Sequence, residues 1–309
     1  MLRTLLLELA KSSRLQRWIT SNAATRHMSQ RFVPGEELSP AIEAVRACNK
    51  AGMTASLDHL GENVVTRQDA ERARTSYTEM LDRIAAEGVD CNVSLKLTHV
   101  GLDLGGEFCA EQLRIVTRRA EELGNFVRVD MESSAYTDRT LRLVKQARAE
   151  SSSVGTVIQA YLYRSEEDIR ELLGMGCRIR LVKGAYKEPS RIAFPRKKDV
   201  DANFIKLMKI LLPSGIYNAL ATHDPRMIEA AIRFATEQNI SKDKFEFQML
   251  YGIRTDLQSS LVRRGYRVRV YIPFGQDWFP YFMRRLAERP ANLAFFLRNL
   301  LPKSSGGGA

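Results

Sequence analysis

RIRLVKGAY, residues Arg178 to Tyr186, is the stretch on which the reading of this chain turns. Its first half has the length and branched-residue content of a buried strand, yet it carries Arg178 and Arg180 and runs on into Lys183 and Gly184. A glycine at that point lets the backbone come close to something. Cations taken out of water beside a strand need paired carboxylates or an anionic ligand, because a lone buried charge costs several kcal/mol. The plainer alternative is an edge strand with solvated arginines.

The same design recurs on both sides of this stretch. Short apolar runs that end in polar residues occur at TASLDHL (Thr54–Leu60), NVSLKL (Asn92–Leu97), FVRVDME (Phe126–Glu132) and TVIQAYL (Thr156–Leu162). After RIRLVKGAY come NALATHD (Asn218–Asp224), FEFQML (Phe245–Leu250) and VRVYIPFG (Val268–Gly275). Amphipathic helical stretches separate them, with starts signalled at Thr66, Thr137, Ser165 and Asp224-Pro225. Eight strand–helix units in roughly 250 residues predict an α/β fold of the (β/α)8 barrel type. The barrel is expected over residues 51–302, with an N-terminal helical arm at 1–50 and a flexible tail at 303–309. A doubly wound open sheet would be favoured by GxGxxG after the first strand, and the chain has none.

The strand ends carry groups that an ordinary core avoids. They are Asp58 and His59, Lys96, Asp130 and Glu132, Gln159, Arg180 and Lys183, Thr222, His223 and Asp224, Gln248 and Tyr271. In a barrel all these ends converge on one rim, where active sites are built. Near the C-terminus, YFMRRLAER places Tyr281, Arg284, Arg285 and Glu288 on one helix face. Two guanidiniums beside a phenol and a carboxylate suit bidentate capture of a substrate carboxylate; a solvated face with an Arg284–Glu288 pair is the competing reading.

Composition narrows the function classes. The chain has 309 residues, of which 44% are hydrophobic, enough for a substantial core without staples. The four cysteines are scattered with no CxxC pair, which points to free thiols in a reducing compartment. The four histidines form no HExxH-type cluster, so no metal centre is expected. No apolar run is long enough to span a membrane, and residues 1–18 read as an amphipathic helix, not a secretory signal. The net charge of +11 is compatible with nucleic acid, an anionic membrane surface or an anionic ligand. No RNP, zinc-finger or Walker pattern supports nucleic acid.

Together, SLKL, RVDME, QAYL, RLVKGAY, ATHD, FEFQML, YIPFG and YFMRRLAER resemble, in the same order over residues 30 to 300, the monofunctional bacterial proline dehydrogenases. RFVPGEE (Arg31–Glu37) is similar to that family's segment before the barrel. The resemblance implies a distorted (β/α)8 barrel with FAD as cofactor, L-proline as substrate and a quinone as electron acceptor. It implies that Lys96, Arg284 and Arg285 hold the proline carboxylate and that Tyr271 and Tyr281 wall the ring. Asp130 is then an active-site acid that orients an arginine or the lysine, and Arg180 sits near flavin N5. Gln159 hydrogen-bonds the isoalloxazine, while Met131, Lys183, Gly184, Ala185, Thr222 and His223 complete the FAD site, with Tyr186 close to both ligands. The basic loop Lys187–Asp199 either covers the adenine end or lies on the surface. His59 and His99 receive no role. The expected location is the cytoplasm, with peripheral contact on the inner face of the membrane favoured by the basic surface, and an oligomer is compatible.

Two readings from other classes compete. One is a phosphate-binding barrel aldolase or isomerase with Lys96 or Lys183 as Schiff-base nucleophile. The other is a basic barrel that binds nucleic acid through arginine-rich helices.

Overall fold

The computed structural model describes residues 30–288, with side chains of the last helix described as far as Arg284. Eight strands pair in parallel in chain order: β1 (Thr54–His59), β2 (Cys91–Leu95), β3 (Val127–Val129), β4 (Val154–Gln159), β5 (Arg178–Val182), β6 (Asn218–Ala221), β7 (Phe245–Leu250) and β8 (Arg267–Phe274). The barrel closes through β8 against β1, with Thr54 opposite Arg269 and Ser56 opposite Tyr271. Helix α1 (Leu38–Lys50) precedes the barrel and packs on β1 and β8. The outer ring continues with α2 (Arg67–Glu87), α3 (Gly106–Glu122), α4 (Ser134–Glu150), α5 (Ser165–Gly174), α6 (Lys197–Leu211), α7 (Pro225–Glu237) and α8 (Thr255–Arg263), whereas α9 (Trp278–Glu288) packs with Phe32, Val33, Leu60 and Ile253 in a separate apolar cluster and brings Tyr281 to the barrel mouth. Residues 1–29 of the expected arm and the tail at 303–309 lie outside the described residues.

The strand alternation sorts residues into two populations. Ala55 and Leu57, Val93 and Leu95, Val127 and Val129, Ile179 and Leu181 join the helices in one apolar core. The intervening positions Ser56, Asp58, Ser94, Arg128, Arg180, Glu246, Gln248 and Arg269 fall on the lumen side, where most are buried polar groups. A closed sheet has no edge, so the edge-strand alternative for RIRLVKGAY fails.

Three helix starts fall where expected: α5 opens at Ser165, and the other two are capped by side chains. Thr66 caps α2 by accepting from the Asp69 N–H at 3.1 Å, and Asp224 caps α7 by accepting from Arg226 N–H at 3.1 Å, with Pro225 in the first turn. The expected start at Thr137 is corrected. Helix α4 begins at Ser134, and Thr137 is buried inside it. The free Ser134 N–H is taken by the Glu188 carboxylate at 2.7 Å, a cap supplied from 54 residues away.

RIRLVKGAY itself ends as a strand at Val182, and its three cations part company. Arg178 is exposed at the N-terminal end, over the Phe126 ring at 5.0 Å. Arg180 is buried in the lumen, and Lys183 stands on the C-terminal rim.

Candidate active site

A cavity of about 480 Å3 opens at the C-terminal mouth of the barrel. Lys96, Asp130, Met131, Gln159, Arg180, Lys183, Gly184, Ala185, Tyr186, Thr222, His223, Tyr271 and Tyr281 all line it, brought together from β2 through α9. Arg284 is half-buried one turn along α9 from Tyr281. The Arg285 and Glu288 side chains lie outside the described residues, so the expected guanidinium pair is described only at Arg284.

The centre of the site is a charge network in the lumen. Arg180 donates to Asp130 Oδ1 at 2.7 Å and to Ser94 Oγ at 3.0 Å, and its guanidinium lies 5.2 Å from the Tyr271 ring centroid. The other Asp130 oxygen accepts from the Tyr271 hydroxyl at 2.7 Å. Asp130 therefore orients an arginine and a tyrosine at once. Burial pushes its carboxyl above the ordinary range, while the Arg180 charge pulls it back. The Tyr271 phenol is driven well up by desolvation and by the Asp130 carboxylate.

Lys96 donates to Asp58 Oδ2 at 3.4 Å. Burial alone would lower its pKa, but Asp58, Asp130 and Glu62 outweigh burial and lift it above the usual lysine range. An ammonium held this firmly is a fixed cation and a poor nucleophile. Lys183 is also committed, to Asp201 at 2.5 Å and Asp224 at 2.8 Å. Neither lysine is poised as a Schiff-base nucleophile, which disfavours the aldolase reading.

The floor beyond this network is built from backbone and amide contacts. Gln159 spends one amide hydrogen on the Glu132 carbonyl at 2.8 Å, and the Glu132 carboxylate accepts from the Thr98 hydroxyl at 2.7 Å. Burial raises the Glu132 carboxyl, against the Thr98 hydrogen bonds that lower it. His223 Nε2 accepts from the Leu250 N–H at 2.9 Å, which places its neutral-form proton on Nδ1. Gly184 has φ +112°, and a Cβ there would lie 2.4 Å from the Tyr161 ring. Glycine is thus required by close packing against Tyr161. Tyr186 stands partly exposed on the rim, its phenol pushed up to about 12 by desolvation first and Glu132 second, while Lys96 and Arg284 oppose.

Several contributors escaped sequence reasoning. Asp58 was visible as a strand-end acid, but its partner Lys96 lies 38 residues away. Ser94 had no signal at all, because serine on a strand is ordinary. His59 and His99 form a buried aromatic group with Tyr77 below the loop after β1. Tyr77 donates its hydroxyl to the His59 carbonyl at 3.2 Å and so accepts from His99 Nδ1–H at 3.0 Å. Burial, then the His59 charge, lowers His99 to about 4. In the basic loop Lys187–Asp199, Ala193 bridges Leu162, Glu188 caps α4 and Arg196 pairs with Asp199 at 2.6 Å.

The chain matches the family model described as proline dehydrogenase over residues 41–298. It is 42% identical to proline dehydrogenase 1 of Bacillus subtilis subsp. natto, over 98% of this chain and 100% of that protein. It is 41% identical to a proline dehydrogenase of Deinococcus radiodurans, over 89% of this chain and 90% of the relative. Among solved structures, proline utilization A from Bdellovibrio bacteriovorus superposes with a TM-score of 0.80 at 29% identity. That match covers 85% of this chain but 33% of the longer protein, so the chain spans about a third of its length.

Proposed function

The chain belongs to the proline dehydrogenase family, and on that premise we propose that it oxidises L-proline to Δ1-pyrroline-5-carboxylate with FAD as cofactor. FAD, if held in the cavity, would supply a hydride acceptor for the substrate carbon next to nitrogen and a route for the electrons to a quinone. The observation that carries this reading is the Arg180–Asp130–Tyr271 network at the base of the cavity, with Arg180 Nε buried and without a hydrogen-bond partner among the described residues. A buried donor left unspent costs free energy until an acceptor arrives, and a flavin ring edge offers acceptors.

This chain's residues then have the following work. Lys96 is the fixed cation for the proline carboxylate, assisted by Arg284 and Arg285 from α9. Tyr271 and Tyr281 wall the ring, and Met131 with Gln159 and the backbone of Lys183 to Ala185 receives the cofactor. The Arg180 charge favours accumulation of negative charge on the acceptor. Lys183 contributes through its backbone, since its ammonium is bound by Asp201 and Asp224.

The productive substrate is neutral at nitrogen, because the nitrogen lone pair must form the C=N bond as hydride leaves. The cations around the site disfavour the aminium form, so activity is expected to rise with pH through one ionisation. The basic chain, with its net charge of +11, supports contact with anionic lipid on the inner face of the membrane, where a quinone is reached.

The test is the visible spectrum of the purified protein. Flavin bands that bleach on anaerobic addition of proline support the reading. A colourless protein that borohydride traps with a keto-substrate refutes it in favour of the aldolase.

A further inference from the structure

Arg180 is anchored in an unusual way for an arginine paired with a carboxylate. The common arrangement is a fork of two parallel bonds to both carboxylate oxygens. Here Asp130 gives Arg180 only Oδ1, at 2.7 Å, because Oδ2 is taken by the Tyr271 hydroxyl at 2.7 Å. One bond constrains the guanidinium less than a fork would, even with the Tyr271 ring centroid 5.2 Å away. The second anchor is Ser94 Oγ on β2, which accepts from the other terminal nitrogen at 3.0 Å.

Ser94 is itself held. Its hydroxyl lies 3.0 Å from the Ser56 hydroxyl on β1, and both serines are 0% exposed. When Ser94 donates its proton to Ser56, its oxygen becomes a better acceptor for Arg180, so the chain Arg180 to Ser94 to Ser56 is mutually reinforcing. Lumen positions of such barrels are commonly filled by bulky branched side chains. Two serines here leave room for the guanidinium and bridge β5, β2 and β1 through it.

We propose that Ser94, supported by Ser56, is a positioning residue that fixes the Arg180 guanidinium beneath the redox site and thereby sets the reduction potential of the bound flavin and the rate of its reduction by proline. The inference rests on the flavin reading above. The physical basis is that a charge in a water-excluded site acts strongly and only from a fixed place. Without Ser94, Arg180 keeps one hydrogen bond to Asp130 and its contact with the Tyr271 ring but has no second hydrogen-bond anchor among the described residues, and the charge spreads over several orientations.

The test uses the FAD-loaded enzyme with Ser94→Ala, which removes an oxygen and little volume. Flavin should be retained, and the proline dissociation constant should stay within about twofold. The rate of flavin reduction by proline should fall about tenfold, as for loss of one hydrogen bond to a charged group. Anaerobic redox titration should find a more negative potential, a quantity that a purely structural serine would not move. In an Arg180→Met background, Ser94→Ala should change neither rate nor potential further. The inference is overturned by an unchanged rate and potential in Ser94→Ala, or by the same drop in the Arg180→Met background. Should Ser94→Ala fail to fold, Ser56→Ala decides: a smaller shift of the same sign supports the relay, and an unmoved potential rejects it. A protein that binds no flavin defeats the underlying reading, whereas a proline-reducible flavin indifferent to Ser94 defeats only this inference.

Discussion

Replacing Arg180 by methionine is expected to cost about 3 kcal/mol of stability at neutral pH, and the cost should depend on pH in a defined direction. Arg180 is buried at 4% exposure and bonds a carboxylate that is itself largely buried. Breaking one partner out of such a pair typically costs about 3–5 kcal/mol, because the other charge is left uncompensated. The low end applies here, since Asp130 keeps the Tyr271 hydroxyl at 2.7 Å and the nearby Lys96 charge. For a chain of this size that corresponds to roughly 5 °C in Tm.

The sign follows from Asp130. Burial already holds its folded-state pKa above the unfolded value, and Arg180 is the largest opposing influence. Ionising a carboxyl raised in this way costs stability as pH rises through the folded pKa. Removing Arg180 raises that pKa further, so the gap between parent and variant should be wider at about pH 8 than at a pH low enough to protonate Asp130. Urea unfolding at both pH values reads this directly. A gap under about 1 kcal/mol, or one of equal size at both pH values, would refute the pairing as the source of the loss.

Three further outcomes are expected. Gly61→Ala puts a Cβ 2.3 Å from His99 Nε2, so it should cost about 1–3 kcal/mol by thermal unfolding, and His99→Ala in the same chain should recover part of that; simple additivity of the two losses would show that the clash is relieved elsewhere. Asp224→Ala removes the α7 cap and one partner of Lys183, a loss of about 1 kcal/mol at neutral pH; because Arg226 and Lys183 hold the Asp224 carboxyl well below the usual range, its contribution is present above the unfolded value and is lost as pH falls through the folded one, so parent and variant should converge on acidification. Arg285→Lys keeps the charge but loses the planar fork, and the proline KM should rise at least about tenfold with flavin still bound; kinetics within about threefold of the parent would take Arg285 out of the carboxylate clamp.

Much of the architecture is legible locally. Each strand is a short apolar run, and each C-terminal rim is marked by polar residues at or just after the run's end, as at Lys96 and Asp130. Such features need no knowledge of the partner strand, and eight of them in order are enough for a barrel and for the side of it that carries the site. Residue identity also told which groups stand on that rim, from Lys96 to Tyr281.

Partner choice is another matter. The three cations of RIRLVKGAY look alike in the sequence, yet Arg178 rests on an aromatic ring in solvent, Arg180 meets Asp130 and Ser94 in the lumen, and Lys183 meets Asp201 and Asp224 on the rim. Those partners come from 50, 86, 18 and 41 residues away. Only the register of parallel strands and the closure of β8 on β1 bring them within hydrogen-bond reach, and a shift of one residue would turn every lumen side chain into the helix layer. Ser56 and Ser94 illustrate the limit most sharply. Their importance lies wholly in a distance across the barrel, which no local pattern encodes.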